Sequence, residues 1–437
     1  MNVLVWFRND LRVTDHPALA LAAEARVLPL HIIDPEDWAE SARSARQWMF
    51  RAECLVELRE TLARLGAPLA VRVGDPVAVL DTLCRLHRIR RILCLEDAAS
   101  RATDRRVAAW AATAGVELVV VPQGPGAPAA LSPVPAVEPG PIPPPRALRL
   151  AEDRCPHRQP GGREQGLLLL QGFLERRGEA YREARDRPLL AERLSSRLSP
   201  HLAAGSLSRA EVAEALARRL AERPGPGWTR SLAAFRTALA QTAEGAAPSD
   251  TGADAAHLGA FQRAETGLPF VDAALRCLDA TGWLPARMRA MLASVALHHL
   301  GLPQRPAGAA LACRLTDFAP PVHWAQMERA AGRGPADPIA LAAVLDRDGR
   351  FTRRWLPELA DVPDALLQEP WRWTGARRLL GHRYPEAVVD PASTAREARR
   401  RLMRRAAGTA DLVDWRGARP ARARRVPVSP AQLHLDL

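Results

Sequence analysis

The chain places hydroxyl and guanidinium groups where buried elements give way to loops. Ser195-Ser196-Arg197-Leu198-Ser199-Pro200 runs into a helical stretch that ends at Gly205. Hydroxyls and exposed amides ahead of a helix make an anion site, because the N–H groups and the helix dipole both face the ligand. Ser199 would equally serve as a plain N-cap. Trp6-Phe7-Arg8-Asn9-Asp10-Leu11-Arg12 ends a strand and opens a loop. Charged residues at the carboxyl edge of a parallel sheet lie where such folds bind ligands. Arg287 and Arg289 are two residues apart, about 200° on a helix, so they address different partners.

The elements that must position these groups are of two kinds. Over residues 1–121, short apolar runs rich in Val, Ile and Leu alternate with helical patterns. Strands are predicted at Asn2–Phe7, Val27–Ile32, Leu69–Val73, Arg91–Leu95 and Glu117–Val121. Helices are predicted at His16–Ala25, Ala45–Leu65, Pro76–His87 and Thr103–Ala114. The fold class is therefore an α/β N-terminal domain, a doubly wound parallel sheet with helices on both faces. No GxGxxG follows the first strand, so the dinucleotide fingerprint is absent. Residues 122–163 are crowded with Pro, Gly and Ala and read as a linker. A larger all-α domain is expected over 164–408, with helices at 164–184, 208–222, 231–243, 268–280, 285–300 and 392–406. An Arg-rich loose tail is expected over 409–437.

Composition narrows the class of protein. With 437 residues, 47% of them hydrophobic, the chain can bury more than one core. No run of 18 apolar residues and no secretory leader is evident, so a cytoplasmic protein with no membrane span is expected. The six cysteines, Cys54, Cys84, Cys94, Cys155, Cys277 and Cys313, are scattered without a CxxC pair. They read as buried reduced thiols, and no metal site is expected. Net charge is +12, and no lysine occurs, so every basic residue is arginine. Arginine binds phosphate through a planar fork and stacks on bases, which makes nucleic acid the first candidate partner; the alternative is a solvated arginine surface.

Four blocks then carry a resemblance. The opening WFRNDLR, followed by Asp15-His16-Pro17-Ala18-Leu19, resembles the start of photolyases and cryptochromes, as does Val71–Pro76. Ser195–Gly205 resembles the family's FAD-pyrophosphate loop, (T/S)SxLSPxLxxG, and Tyr181–Pro188 resembles its YxxxRDxP. Glu265–Arg276 with Thr281–Arg289 looks like TGxPxVDAAMRxLxxTGWMHNRxRM. Asp348–Leu359, Val362-Pro363 and Glu369–Trp371 resemble GxFIRRWLPELxxVPxxxxHEPW. The resemblance covers roughly residues 1–390. It implies FAD held by Tyr181, Ser195, Ser196, Arg197, Leu198, Ser199 and Arg236, with Arg289 paired to Asp317 beside the flavin. It implies DNA contacts from Arg185 and Arg287. In the family the N-terminal domain can hold an antenna pigment, a folate or a deazaflavin, and the resemblance leaves open whether one binds here.

Several matched positions depart from the family. The lesion-contacting glutamate falls at Leu232 and the lesion-stacking tryptophan at Phe235; a carboxylate can hydrogen-bond a thymine edge and Leu cannot. Pro285 and Ala286 replace the His and Asn of TGWMHNR, and Ala319 replaces a second acid. The residue facing flavin N5 falls at His323, which could donate to N5 and titrate near neutrality, or serve as a satisfied structural histidine. The three-tryptophan photoreduction relay falls at Thr251, Gln304 and Met327, none of them aromatic. The resemblance thus implies a monomeric, blue-light-driven photolyase splitting pyrimidine dimers in UV-damaged DNA, flipped out of a duplex or held as a single strand. The alternatives are a cryptochrome-like light sensor and a degenerate flavoprotein without repair activity.

Overall fold

The computed structural model describes residues 1–241, 245–250 and 253–414, with side chains as far as Arg404. The chain forms two compact units. One comprises Met1–Ala247, Arg276–Leu284 and Gly308–Ala325; the other comprises Pro248–Leu275, Pro285–Ala307 and Gln326–Leu437.

The first unit is built on a parallel sheet. Its strands are β1 (Asn2–Phe7), β2 (Arg26–Ile33), β3 (Ala70–Val73), β4 (Arg91–Leu95) and β5 (Glu117–Val121), in the order β3-β2-β1-β4-β5. Side chains alternate across a strand, so the apolar β1 feeds both faces. Val3, Val5 and Phe7 pack with Trp48, Leu55 and Leu62 of the helix Ala45–Arg64. Leu4 and Trp6 pack with Leu80 and Leu83 of Pro76–Leu86 and with Val107 of Arg101–Ala114. The order reverses between β1 and β4, the place where doubly wound sheets open a crevice at the carboxyl ends.

Helix starts follow a chemical rule that the sequence displays. Asp34-Pro35, Asp75-Pro76 and Asp337-Pro338 each open a helix, with the aspartate accepting from an amide of the first turn and the proline at the first helical position. Proline lacks the N–H that would be unpaired there.

The Pro/Gly-rich stretch 122–163 is bonded to the sheet rather than hanging between domains. Ser132–Pro133 forms β6, parallel to β2. The Trp48 indole donates to the Pro143 carbonyl at 2.8 Å, and the Val71 amide donates to the Pro139 carbonyl at 2.7 Å. Prolines cannot donate, but their carbonyls accept, so such a stretch can still satisfy a neighbouring element.

Beyond it the first unit is helical. The predicted helix 164–184 is broken: Arg163–Gly172 passes into a π-turn at Phe173–Arg177 and a single 3-10 turn before Tyr181–Ala184. The core here gathers Phe173, Tyr181, Leu216, Leu232 and Phe235. The N-cap expected at Ser199 is instead Leu198, and Ser199 is the first helical residue. Gly205, at φ +71°, lets this helix end against the loop after β1. A Cβ there would lie 2.0 Å from the Asn9 carbonyl oxygen. Because backbone cannot step aside, Gly205→Ala is expected to cost about 3 kcal/mol, read from chemical denaturation of the first unit.

The second unit is helical throughout. Its interior holds Phe261, Phe270, Phe351, Leu356 and Leu359, with the Phe270 and Phe351 rings edge-to-face at 5.9 Å. Two buried carboxylates pin its loops. Asp272 accepts from the Thr266 and Gly267 amides and the Thr266 and Tyr384 hydroxyls. Asp346 accepts from the Phe351 and Thr352 amides and the Thr352 hydroxyl. The helix Pro391–Asp414 extends into the segment expected to be a loose tail. The remainder of that tail, with Arg416, Arg419, Arg422, Arg424 and Arg425, lies outside the described residues, as does Thr251.

Candidate functional site

Two loci in the first unit gather chemistry-bearing groups. The first is a cavity of about 610 Å³ at the carboxyl edge of the sheet, over the β1–β4 switch point. Its walls carry Arg8, Arg12, Arg43, Arg51 and Arg209, opposed by Asp15, Asp34, Asp37, Glu96 and Asp97. The loop after β1 is held from all sides. Arg8 donates to Asp104 and to the Leu95 carbonyl, Asn9 donates to Asp97 at 2.8 Å, and Arg51 donates to the Arg8 carbonyl at 2.8 Å. Arg12 reaches the Asp15 carbonyl, Gln123 and the Gly205 carbonyl, tying this loop to the end of the Ser199–Ala204 helix.

Beneath that loop sit two buried histidines. His16 accepts from the Leu19 amide through Nδ1, so its Nε2–H faces Asp10 at 3.2 Å. Burial alone would raise the Asp10 carboxyl, but the hydrogen bond and charge of His16, with Arg8, bring it down to about 2. His31 donates Nδ1–H to the Phe7 carbonyl at 3.0 Å, and burial with the nearby Arg51 charge pushes it down to about 3. His31 therefore lines the cavity as a neutral imidazole. The cavity is also aromatic: Trp6, Trp38 and Phe318 face it, and the Arg43 guanidinium lies 5.2 Å from the Trp38 ring and 5.4 Å from the Phe318 ring.

The second locus joins three short motifs. The Arg197 guanidinium, on a residue with φ +59°, stacks 4.2 Å over the Trp283 ring. This links the Ser195–Ser199 loop to the Thr281-Gly282-Trp283 turn. Gly282, at φ +69°, lets Thr316 approach: a Cβ would lie 2.1 Å from the Thr316 hydroxyl, and the Thr316 amide donates to the Gly282 carbonyl at 2.9 Å. Asp317 follows directly and is buried. Three buried hydroxyls in this chain of motifs, on Ser195, Ser199 and Thr316, have no hydrogen-bond partner among the described residues. Buried hydroxyls are ordinarily satisfied. The orphans on Ser195 and Ser199, which flank Arg197 in the chain, fit an anionic, oxygen-rich group such as a pyrophosphate.

The predicted site residues fall as follows. Ser195, Ser196, Arg197 and Leu198 form one loop that runs into the helix begun by Ser199, anchored by Arg177 donating to the Ser195 carbonyl and Gln159 donating to the Arg197 carbonyl. Tyr181 is buried edge-to-face against Phe173 and Phe235, and its hydroxyl bonds Arg185; burial raises the phenol above its ordinary value. Arg236 is exposed on the helix Pro226–Ala240. His323 donates Nε2–H to the Gly308 carbonyl at 2.9 Å, and its ring lies between Phe318 at 5.4 Å and Trp324 at 5.1 Å. Arg287 and Arg289 are half-buried on the helix Ala286–Ser294 of the second unit, and Asp317 and His323 belong to the first. Leu232 and Phe235, at the lesion-contacting positions, are buried in the first unit's core. Sequence reasoning does not single out Thr316, Trp38, Arg43 or Phe318. The one available signal is the position of Trp38 and Arg43 in the short helix and loop that follow β2, at the carboxyl edge of the sheet.

Comparison with known proteins closes the description. The model of the FAD binding domain of DNA photolyase matches residues 228–404, and that of DNA photolyase matches residues 3–124. The chain is 28% identical over 465 residues to the cryptochrome DASH of Natronomonas pharaonis, covering 89% of this chain and 98% of that one. It is 31% identical over 445 residues to a deoxyribodipyrimidine photo-lyase of Thermus thermophilus, covering 92% and 97%. The fold is similar to a Synechocystis cryptochrome, with TM-score 0.79, 22% identity and coverage of 91% and 98%. It is also similar to a Sulfolobus tokodaii photolyase solved with two FAD molecules, with TM-score 0.71, 21% identity and coverage of 91% and 99%. Among the described residues no helix is long and apolar enough to cross a membrane.

Proposed function

The chain belongs to the photolyase/cryptochrome family, and on that premise we propose that it is an FAD-dependent, blue-light-driven lyase that splits pyrimidine dimers in UV-damaged DNA. The observation that carries this reading is the pair of orphaned hydroxyls on Ser195 and Ser199, which flank Arg197. They fit the pyrophosphate of FAD, with the serine O–H groups donating and Arg197 supplying charge. When bound, FAD supplies the light absorption and the electron transfer on which dimer splitting depends. The chain's own part is to hold and shield. Trp283 fixes the Arg197 plane and the Gly308 carbonyl holds the tautomer of His323; Asp317, Arg289 and His323 would serve to hold the flavin. Arg185 and Arg287 take DNA phosphates.

The test is a blue-light assay with the purified, reduced protein and a dimer-containing oligonucleotide, alongside its visible spectrum. Restored pyrimidines with a flavin spectrum support the reading; a flavin-bearing protein that repairs no dimer in duplex or single strand sinks it. Ser195→Ala with Ser199→Ala is expected to lower FAD retention about tenfold to a hundredfold, measured as the flavin-to-protein absorbance ratio after dialysis.

We assign the sheet-edge cavity to a second, light-harvesting chromophore. Its volume falls in the range of small-molecule sites, and its aromatic and guanidinium walls suit a planar polar ring system. Ala203, on its wall, offers a test. Ala203→Trp is expected to remove any second near-ultraviolet band while leaving the flavin bands unchanged.

A second reading is favoured by one observation. Leu232 and Phe235 are both committed to the core, so neither reaches a lesion from that helix. A light sensor without repair needs no such contact. A light-dependent change in oligomeric state or partner binding, with no dimer turnover, would select it.

A further inference from the structure

We propose that the helix Pro391–Asp414 carries a lesion-independent nucleic-acid surface that binds the phosphate backbone. The motif that points to it is electrostatic. Residues 391–404 hold five arginines against Glu397, a net +4 of the chain's +12. Within the described side chains, Arg396, Arg399, Arg400, Arg401 and Arg404 are all exposed. Arg401 reaches toward Glu397 at 3.9 Å, and Asp390 lies near Arg396; no further acid on this helix precedes Asp411. Arg396, Arg400 and Arg404 are spaced at four residues, which sets them on one face in a row about 12 Å long. Duplex DNA offers one phosphate per roughly 3.4 Å of axis on each strand, so such a row spans three to four phosphates.

The helix is fixed rather than loose. Ala395 and Ala398 are buried, and the helix packs on the π-turn Val295–His299. Arg401 donates to the His298 carbonyl at 3.1 Å, and the Thr394 hydroxyl meets His299 Nδ1 at 2.9 Å. This docking also decides the partner. A helix that binds a lipid surface needs an apolar face to insert. Here the apolar face is buried against the protein, and Met403 is the one large apolar side chain left exposed among its described residues. What remains outward is guanidinium, which matches phosphate in a forked geometry. The surface needs neither flavin nor lesion, so it stands apart from the repair reading.

The test uses the full chain in the dark with an undamaged duplex of about 20 base pairs, read by fluorescence anisotropy at salt concentrations between about 50 and 200 mM. The variant R396Q/R399Q/R400Q/R404Q is expected to reduce the slope of log K against log salt by about three. It should weaken low-salt binding about a hundredfold. The four-lysine counterpart should retain most of the slope. Flavin content and hydrogen-exchange protection at Val295–His299 serve as controls that the helix is still docked. An unchanged slope in the glutamine variant, with those controls intact, overturns the proposal. Stronger arginine-dependent binding to phosphatidylserine vesicles than to DNA also overturns it and assigns a lipid surface instead.

Discussion

Asp272→Ala is expected to destabilise the second unit by about 4 kcal/mol. The Asp272 carboxylate is fully buried and accepts four hydrogen bonds. Oδ1 takes the Thr266 amide at 2.9 Å and the Thr266 hydroxyl at 2.7 Å; Oδ2 takes the Gly267 amide at 3.0 Å and the Tyr384 hydroxyl at 2.6 Å. Removing the acceptor leaves two amides and two hydroxyls without partners in a site that excludes water. Leaving donors unsatisfied costs more than the bonds are worth on average. Asp272→Asn keeps the shape but turns one oxygen into a donor that must face two donors, so a loss of about 2–3 kcal/mol is expected. Tyr384→Phe removes one donor and leaves the carboxylate in place, for a loss of about 1 kcal/mol. The consequence is local, because the Val388 amide bonds the Thr266 carbonyl at 3.0 Å and Gly267, at φ +73°, packs against the backbone of Glu386 and Ala387. Hydrogen exchange should therefore show protection lost at 266–272 and 379–388 together. Asp272→Ala with undiminished protection in both segments would refute the clamp.

This clamp also bears on how much the sequence discloses. The run Thr266-Gly267-Leu268-Pro269-Phe270-Val271-Asp272 is readable as the start of a helix, and its family resemblance is specific. That its aspartate is a buried acceptor for a tyrosine from far along the chain is a tertiary fact with no local signature. The same division runs through the fold. β1 and β4 have the bounds predicted for them, because strands buried on both faces are continuous apolar runs; β5 has its predicted bounds too, although it is a half-exposed edge strand. β6 escapes prediction, because Ser132–Pro133 is too short to show a period and proline argues against a strand. The π-turn at Phe173–Arg177 interrupts a pattern that reads as one helix, and the Gly178 amide closes it on the Phe173 carbonyl.

The candidate site divides in the same way. Ser195–Ser199 is legible as an anion loop from hydroxyls preceding a helix. Thr316 is not, since its role depends on Gly282 admitting it at close range. Arg43 sits in an acidic loop and reads as solvated until Trp38 and Phe318 are seen on either side of it. Sequence says that the lesion-contacting positions have changed to Leu232 and Phe235. The structure adds that both are spent on the core, and that Phe235 packs 4.8 Å from the Phe173 ring. Restoring the family residues there would bury a glutamate and enlarge a filled aromatic cluster. Repair, if this chain performs it, must take its lesion contacts from other residues.

Mild acid is expected to loosen the first unit more than the second, where burial lowers His299 but Asp272 acts in the opposite sense. His31 is held at about 3 by burial and the Arg51 charge, and His201, fully buried beside Phe50, is held at about 4 by burial. In the unfolded chain both return to about 6.5. Below that value the unfolded chain binds protons that the folded one refuses, so stability falls with pH from about 6.5 toward 3 for His31 and toward 4 for His201. The slope is roughly 1.4 kcal/mol per pH unit for each histidine. Asp10 adds to the loss at lower pH. Its folded value of about 2 lies below the unfolded one, so its stabilisation is present above about 4 and disappears as pH falls toward 2. Asp272 has the opposite sign. Burial raises its carboxyl to about 6, so the folded form holds a proton that the unfolded form releases, and stability rises as pH falls from about 6 to 4. Hydrogen exchange at pH 7 and near pH 5, corrected for intrinsic rates, should show protection falling in β1, β2 and the segment 199–206. Protection at 266–272 should be retained or gained. His31→Leu should flatten part of the acid limb, since Leu removes the titrating group at a site that already excludes charge. Equal loss in both units, or an acid limb unchanged by His31→Leu, would show that other groups set the acid response.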